Sequence, residues 1–250
     1  MNFYNYNEKI VNSQLHTLIA GCTGSGKSVF LNNLICYILS QDNTGLILID
    51  PKKVELSQYR NTTHTIMYGD IPSAIEQALR YAVALMNKRY DIMQAQGIRK
   101  YTEEPVYVII DELASFSTIE ELRPCNALLS QLATLARAAN IFLIACTQRP
   151  TNDVITPLYK VNCDCKIALR TASEQESRNI IGISDAKRLP KNGKCIMTHP
   201  DYLEPVILPV DYHTDKEIEE YIAPIKRQTP NKAQIKSKPK SIFRTFLELS

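Results

Sequence analysis

Short apolar runs alternate along the chain with segments in which apolar residues recur every three or four positions. The apolar runs predict buried strands, and they lie at residues 15–20, 45–49, 105–110, 141–146 and 166–170. The recurring segments predict amphipathic helices at residues 27–40, 73–93 and 126–139. Strands that alternate with helices favour a parallel sheet against which the helices pack. The pattern therefore predicts an α/β fold with a mostly parallel central sheet flanked by helices.

The later part of the chain adds a strand pair and a polar tail. The late strands are predicted at residues 194–198 and 205–210. Capping sequences predict helix starts at Ser73–Glu76, at Ser173–Glu176, whose helix ends near Gly182, and at Thr214–Glu217. Residues 227–240 are polar and contain two prolines, which predicts a flexible linker. Residues 241–249 predict a short amphipathic helix, which is too short to be stable without a partner.

The charge is distributed unevenly along the 250 residues. Residues 226–250 hold seven basic residues and one acidic residue, a balance of +6, whereas the rest holds 22 basic and 25 acidic residues, a balance of −3. Such a basic tail attracts nucleic acid or another acidic surface, and a solvated linker is the alternative. The hydrophobic fraction of 44% and the charged fraction of 22% exclude a mostly disordered chain.

Several features bear on the cellular compartment. No apolar run approaches the roughly 20 residues that a membrane helix requires, so no membrane insertion is expected. The polar start of the chain lacks the apolar core of an export signal. None of the seven cysteines forms a CxxC pair, and Cys163 and Cys165 alternate on a predicted strand, so they should share one face. These features predict reduced thiols and a cytoplasmic protein.

A glycine-rich segment follows the first predicted strand and precedes the first predicted helix. Residues 21–28 read GCTGSGKS and match the phosphate-binding pattern GxxxxGK[ST] at every fixed position. Glycines let successive backbone N–H groups face phosphate oxygens, and the helix N-terminus adds partial positive charge. Lys27 can reach the β- and γ-phosphates, and Ser28 can bind Mg²⁺. We expect the nucleotide to contact Gly21, Cys22, Thr23, Gly24, Ser25, Gly26, Lys27, Ser28 and Val29.

Two further strands end in polar residues that suit ATP hydrolysis. Asp111 and Glu112 follow the strand at 105–110, and Gln148 follows the strand at 141–146. Asp111 is placed to support Mg²⁺, and Glu112 can act as the general base for an attacking water. Gln148 can sense the γ-phosphate or orient the water. The alternatives are two surface acids at a strand end and, for Gln148, an ordinary turn before proline.

These motifs occur in an order that resembles the FtsK/SpoIIIE family of DNA translocases, within the broader FtsK–HerA group of P-loop motors. The resemblance spans about residues 15–210. It rests on HTLIAGCTGSGKS at 16–28, IDPK…EL…Y at 48–59, NKRY at 87–90, VIIDELA at 108–114, RAA at 137–139, ACTQRP at 145–150, DVIT at 153–156, Asn162, and ESRNIIG at 176–182.

The resemblance implies a RecA-like P-loop NTPase domain that assembles into a ring, a hexamer, around double-stranded DNA. ATP and Mg²⁺ would lie between subunits, with Lys27 on the phosphates, Ser28 and Asp111 on the metal, and Glu112 on the water. A neighbouring subunit would supply an arginine to the γ-phosphate. Arg178 is the first candidate for that arginine and Arg137 the second, and Arg149 is less favoured. A structural ion pair is the alternative for each.

The chain departs from the family pattern at several places. Cys22 replaces the usual threonine, residues 115–117 read SFS where the family has Asp-Leu-Met, and residues 184–194 lack the usual glycine-rich turn. No membrane helices or winged-helix reader are recognised, which suggests a reduced form. The predicted organisation is an N-terminal lead-in at 1–14, an ATPase motor domain at 15–226, and a basic linker with a short helix at 227–250.

The leading functional prediction is an ATP-dependent double-stranded DNA translocase of a phage or mobile element. The alternative is a nucleotide-dependent coupling or recruitment ATPase in conjugation or element replication, which would bind a protein partner through residues 241–250. A small-molecule kinase is less favoured, because Glu112 and Gln148 suit attack by water and the sequence shows no lid or acceptor pocket.

Overall fold

In a computed structural model, which describes residues 5–227, eight strands form one sheet. The strands are β1 (Thr17–Ala20), β2 (Gly45–Ile49), β3 (Thr65–Gly69), β4 (Val106–Ile110), β5 (Ile141–Thr147), β6 (Cys165–Ala168), β7 (Lys194–Thr198) and β8 (Val206–Pro209). Their order across the sheet is β3-β2-β4-β5-β1-β6-β7-β8. The first six strands pair in parallel, and β7 and β8 add an antiparallel edge.

Helices cover both faces of this sheet. The α-helices are α1 (Asn5–Asn12), α2 (Lys27–Leu39), α3 (Pro72–Gln96), α4 (Ser115–Thr118), α5 (Asn126–Leu135), α6 (Pro157–Asn162), α7 (Glu174–Ile181) and α8 (Asp215–Ile222). Side chains of the buried strands alternate between two hydrophobic cores. Val108 and Ile110 of β4 pack in the core that includes α3 and α5, whereas Tyr107 and Ile109 pack with α1, α2 and α8. Burial on both faces explains why the parallel strands read as continuous apolar runs.

The observed fold confirms the predicted fold class, an α/β P-loop fold with a mostly parallel sheet. Pairing of Ala20 with Thr147 and of Ile110 with Ala145 aligns the carboxyl ends of β1, β4 and β5 at one edge. The segments that follow these strands therefore start close together, where parallel α/β proteins place their ligands. Within the described residues, no helix combines the length and the apolar character needed to cross a membrane.

Several local predictions are confirmed and others are wrong. Ser173 caps α7 by accepting a hydrogen bond from the Glu176 N–H, and Thr214 forms a full capping box at α8. The predicted cap at Ser73 is wrong. Helix α3 begins at Pro72, and Ile71 takes the N-cap position without a side-chain bond, because proline is already set for the first helical turn. Helix α5 ends at Leu135, four residues before its predicted end.

The structure also contains elements that were not predicted and corrects one cysteine placement. Helix α1 packs Tyr6 and Ile10 into the core beside α2, and β3 is an additional edge strand. Cys163 lies after α6 and packs in one core, whereas Cys165 begins β6 and packs in the other. The prediction that these two cysteines share a face is therefore wrong. The predicted linker and helix beyond residue 227 lie outside the described residues.

Candidate functional site

The phosphate-binding loop curls between the end of β1 and the start of α2. Its start is tied to the neighbouring strands, because the Gly21 N–H donates to the Thr147 carbonyl at 3.3 Å and the Cys22 N–H to the Arg170 carbonyl at 2.9 Å. Gly24 has φ 74° and Gly26 has φ 91°, values that side-chain-bearing residues rarely adopt. Helix α2 then starts at Lys27, and the N–H groups of its first turn have no carbonyl partner within the helix. The sequence thus folds locally into an anion-binding turn.

A cavity of about 510 Å³ opens beside this loop. Seven of the predicted nucleotide-binding or catalytic residues line it, namely Cys22, Gly24, Gly26, Lys27, Ser28 and Val29 from the loop and Gln148 from the end of β5. Four residues for which the sequence predicted no role also line the cavity, namely Asn192, Gly193, Val210 and Tyr212. The other three predicted loop residues do not line this cavity. Gly21 packs against Leu169, Thr23 lines a separate cavity, and the hydroxyl of Ser25 is buried.

Lys27, which lines the cavity, forms a buried ion pair with Asp111. The Lys27 Nζ lies 2.8 Å from Asp111 Oδ1 and 3.2 Å from the Asp111 carbonyl, and the two side chains are 4% and 1% exposed. Burial lowers the pKa of Lys27, but Cys146, Asp111 and Glu112 raise it by more, so the net shift is upward. Lys27 is therefore a fixed cation where phosphate oxygens would lie.

The second oxygen of Asp111 bears on the predicted metal site. Asp111 Oδ2 is buried and has no hydrogen-bond partner among residues 5–227. Such an atom is costly unless water or an ion satisfies it. Ser28, the other predicted Mg²⁺ ligand, lies in the first turn of α2 and donates its hydroxyl to Glu55. A carboxylate and a hydroxyl oxygen are hard donors of the kind that Mg²⁺ prefers, so these residues fit that ion.

Glu112 is held by donors on both of its carboxylate oxygens. Oε1 accepts from the Thr147 hydroxyl at 2.8 Å and from the backbone N–H groups of Ala114 and Gln148 at 3.3 Å each. Oε2 accepts from the Lys52 Nζ at 2.8 Å. Burial raises the pKa of Glu112, but the hydrogen bonds from Lys52 and Thr147 lower it by more, so the net shift is downward. Glu112 is therefore ionised at neutral pH, and its carboxylate is held in one orientation by these hydrogen bonds.

Gln148 links the acidic strand end to the phosphate-binding loop. Its backbone N–H donates to Glu112, and its side-chain carbonyl accepts from the Thr23 hydroxyl at 3.1 Å. The structure thus brings together Lys27, Asp111, Glu112 and Gln148, which the sequence places on three separate strand ends.

The loop after β2 contributes two charged residues to which the sequence analysis gave no role. Lys52 contacts Glu112, and Glu55 accepts the hydrogen bond from Ser28. Asp50 fixes this loop, because its carboxylate accepts from the Leu56 N–H at 3.0 Å and its carbonyl from the Lys53 N–H at 3.0 Å. The IDPK…EL segment was the available signal, but only the fold shows which groups it meets.

The candidate arginines lie apart from these residues. Arg178 is about half exposed on α7 and pairs with Glu174 at 3.0 Å. Arg137 lies before β5, at the edge of the sheet opposite the phosphate-binding loop, and pairs with Asp164. Within the described residues, neither forms a hydrogen bond or ion pair with Lys27, Asp111 or Glu112. Their predicted action on a neighbouring subunit stays a prediction.

Comparisons with known proteins show what this chain is similar to. Residues 5–105 match the model of the FtsK/SpoIIIE family. DNA translocase SftA of Bacillus subtilis is 34% identical over 234 residues, which cover 86% of this chain and 24% of that protein. DNA translocase FtsK of Caldanaerobacter subterraneus is 36% identical over 219 residues, which cover 82% and 31%. The chain therefore spans about a quarter to a third of the length of these relatives.

Solved structures are similar over most of the chain. The pCW3 conjugation coupling protein TcpA with ATPγS is 26% identical, with a TM-score of 0.74, over 85% of this chain and 65% of that one. The cytoplasmic domain of the type VII secretion ATPase EccC from Thermomonospora curvata has a TM-score of 0.70 at 19% identity, over 90% of this chain and 29% of that one, and shows the fold alone. The family model therefore assigns residues 5–105 to the FtsK/SpoIIIE family, and the two DNA translocases extend the similarity over more than four-fifths of the chain.

Proposed function

We propose that this domain hydrolyses ATP to ADP and phosphate at the carboxyl edge of its sheet. One observation carries the proposal, namely that a buried lysine and two buried carboxylates meet beside a cavity that the phosphate-binding loop lines. Lys27 lines that cavity and is bonded to Asp111, and Glu112 is bonded to Gln148, which also lines it. Family membership and the relatives named as DNA translocases support the same activity.

In the proposed reaction, Lys27 binds the phosphates and Glu112 accepts a proton. Lys27 exchanges Asp111 for a phosphate oxygen and neutralises its charge. Glu112 takes a proton from water as the water oxygen bonds to the γ-phosphorus and the bond to the ADP oxygen breaks. Gln148, whose side-chain carbonyl accepts from the Thr23 hydroxyl, would orient that water. Bound Mg²⁺ would neutralise charge on the phosphates, and Ser28 Oγ and Asp111 Oδ2 are the atoms we propose to hold it.

We further propose that hydrolysis drives movement along double-stranded DNA by a cytoplasmic ring, a hexamer, and that the translocase comes from a phage or mobile element. The relatives SftA and FtsK, which are named DNA translocases, support the movement along DNA. The contacts would be with phosphates, so binding tolerates any sequence and weakens with salt. The basic residues at 226–250 are a second source of attraction for DNA.

Mixing two inactive variants tests whether an arginine of one subunit acts on the nucleotide bound to its neighbour. An arginine supplied by a neighbour accelerates phosphoryl transfer by about 10³-fold or more. Glu112→Gln keeps the arginine but lacks the base, whereas Arg178→Ala keeps the base but lacks the arginine. Mixing the two inactive proteins restores turnover if Arg178 acts on its neighbour's nucleotide. No recovery on mixing contradicts this assignment, and the same mixing with Arg137→Ala tests the second candidate.

A coupling ATPase is the second candidate function. The similarity to TcpA, described as a conjugation coupling protein, favours it. In that case residues 241–250 would bind a protein partner. Removing residues 228–250 separates the two functions, because a coupling protein would lose its partner while its ATPase activity and DNA binding persist.

The proposed function is tested by ATP hydrolysis at low salt with and without duplex DNA. A DNA translocase increases its hydrolysis rate when duplex is added, and the increase disappears as salt rises. Unchanged hydrolysis with and without duplex contradicts a DNA motor but leaves ATP hydrolysis itself intact. Absence of any hydrolysis contradicts the whole proposal.

A further inference from the structure

The Ser28 hydroxyl donates its hydrogen bond to Glu55, in the loop that follows β2. Ser28 lies in the first turn of α2, where a serine can instead donate to the backbone carbonyl one turn earlier. Ser28 and Glu55 are 27 residues apart in sequence, so their contact exists only through the fold. The direction of the Ser28 hydroxyl is therefore set by Glu55.

This contact leaves the Ser28 oxygen free to bind a cation. A serine hydroxyl has one proton and two lone pairs. Because the proton is given to Glu55, both lone pairs of Ser28 Oγ remain available. Asp111 is bonded differently, since its Oδ1 accepts from Lys27 at 2.8 Å and its Oδ2 has no hydrogen-bond partner among residues 5–227. Glu55 accepts the serine proton, and Asp111 keeps an open oxygen.

Glu55 is held in place relative to the helix that carries Ser28. Leu56, the next residue in the chain, and Tyr59 are fully buried in the core that includes α2. The Tyr59 hydroxyl donates to Asn32 Oδ1 at 2.9 Å, and Asn32 lies about one turn after Ser28 on α2. Glu55 is therefore preorganised to accept from Ser28.

The charge of Glu55 also favours a cation at this place. Asp111 pairs with Lys27, and Glu112 pairs with Lys52, both at 2.8 Å. Glu55 is half-buried as well, but it forms no ion pair with any residue of 5–227. Carboxylates that lose part of their hydration are normally paired with a cation or bind a metal ion.

We propose that Glu55 is a positioning residue for Mg²⁺, which accepts the Ser28 proton and thereby directs the Ser28 oxygen to the ion. A carboxylate that accepts from a metal ligand also makes the ligand oxygen more basic, and loss of such a partner typically weakens metal binding by about 10- to 100-fold. The inference rests on the proposed function, since it concerns the same ATP site. Glu55 acts through Ser28 and does not bind the ion itself.

The test measures binding of a fluorescent ATP analogue in EDTA and in excess MgCl₂. The ratio of the two dissociation constants, which we call the magnesium gain, does not depend on turnover. Glu55→Met removes the acceptor, so the magnesium gain should fall about tenfold or more. Binding in EDTA should not weaken, because the variant loses a negative charge beside an anionic ligand.

A double-mutant cycle shows whether Glu55 acts through Ser28. Ser28→Ala should lower the magnesium gain, and adding Glu55→Met to it should change the gain little, because the atom through which Glu55 acts is already absent. Glu55→Gln keeps a neutral acceptor and should keep part of the gain. Glu204→Met is the matched control, because Glu204 is an exposed acid in the turn between β7 and β8.

Three results would overturn the proposal. The first is a wild-type magnesium gain in Glu55→Met. The second is an equal loss of gain whether or not Ser28 is present, because Glu55 would then bind the ion directly. The third is weaker binding in EDTA by both Glu55→Met and Glu55→Gln, because Glu55 would then support the nucleotide site as a whole. A wild type that binds the analogue without any magnesium gain contradicts the metal site together with this inference, whereas a wild type that binds no analogue contradicts the proposed function.

Discussion

Replacing His16 removes a titration that makes the stability of this domain depend on pH. His16 is 2% exposed beside β1, and its Nδ1 accepts a hydrogen bond from the Leu143 N–H at 2.9 Å. A nitrogen that accepts is unprotonated, so the folded state requires neutral imidazole. Burial, with a smaller contribution from Arg137, lowers the pKa of His16 from 6.5 to about 4. His16→Asn retains an acceptor but does not titrate in this range.

The sign and size of the effect follow from this pKa. Between pH 6.5 and about 4 the unfolded chain binds a proton that the folded chain does not, so stability is complete above pH 6.5 and falls as the solution is acidified. The loss amounts to about 2 kcal/mol at pH 5, and to about 3 kcal/mol at pH 4.

Chemical denaturation at pH 7.5 and pH 5 measures this loss. Other groups also titrate, but they contribute equally to wild type and His16→Asn, so the difference between the two pH dependences isolates His16. Wild type should lose about 2 kcal/mol more than the variant on acidification. His64→Asn is the control, because His64 is only half-buried and the pKa of its imidazole is lowered less. Parallel pH dependences of wild type and His16→Asn would show that His16 does not contribute to the loss of stability in acid.

Three further substitutions test other parts of the structure. Thr147→Val removes the hydroxyl that holds Glu112 Oε1, and kcat for ATP should fall about tenfold with unchanged nucleotide affinity; an unchanged kcat contradicts the orienting role. Arg89→Met removes the guanidinium that donates to the carbonyls of Glu104, Ala139 and Asn140, of which, within residues 5–227, only Asn140 keeps a second donor, the Val106 N–H, so denaturation should show a loss of about 3 kcal/mol. Gly69→Ala places a Cβ 2.8 Å from the Ile75 Cα, and the forced shift of α3 should cost about 1–3 kcal/mol, measured in the same way.

The sequence predicts most of the fold and the central part of the site because those signals are local. Glycine spacing determines the phosphate-binding loop, and the run of apolar residues before Asp111 determines a buried strand that ends in an acid. Parallel pairing then brings separate strand ends to one edge, which explains why Lys27, Glu112 and Gln148 could be placed together in advance.

The missed features depend on contacts between distant parts of the chain. Tyr212 and Asn192 reach the cavity from more than 160 residues beyond Lys27, and no local pattern marks them. Strand β3 was not predicted, because it is a half-buried edge strand without a continuous apolar run. The contact between Lys52 and Glu112 could not be predicted, because a lysine before an exposed turn has the sequence pattern of an ordinary surface residue.

In the proposed mechanism, Lys27 binds the nucleotide phosphates and Glu112 activates the water. Nucleotide affinity and phosphate release, measured in parallel for Lys27→Ala and Glu112→Gln, separate these two roles. Lys27→Ala should bind ATP weakly, whereas Glu112→Gln should bind ATP as wild type does and release no phosphate. Phosphate release at the wild-type rate by Glu112→Gln would show that Glu112 is not the general base.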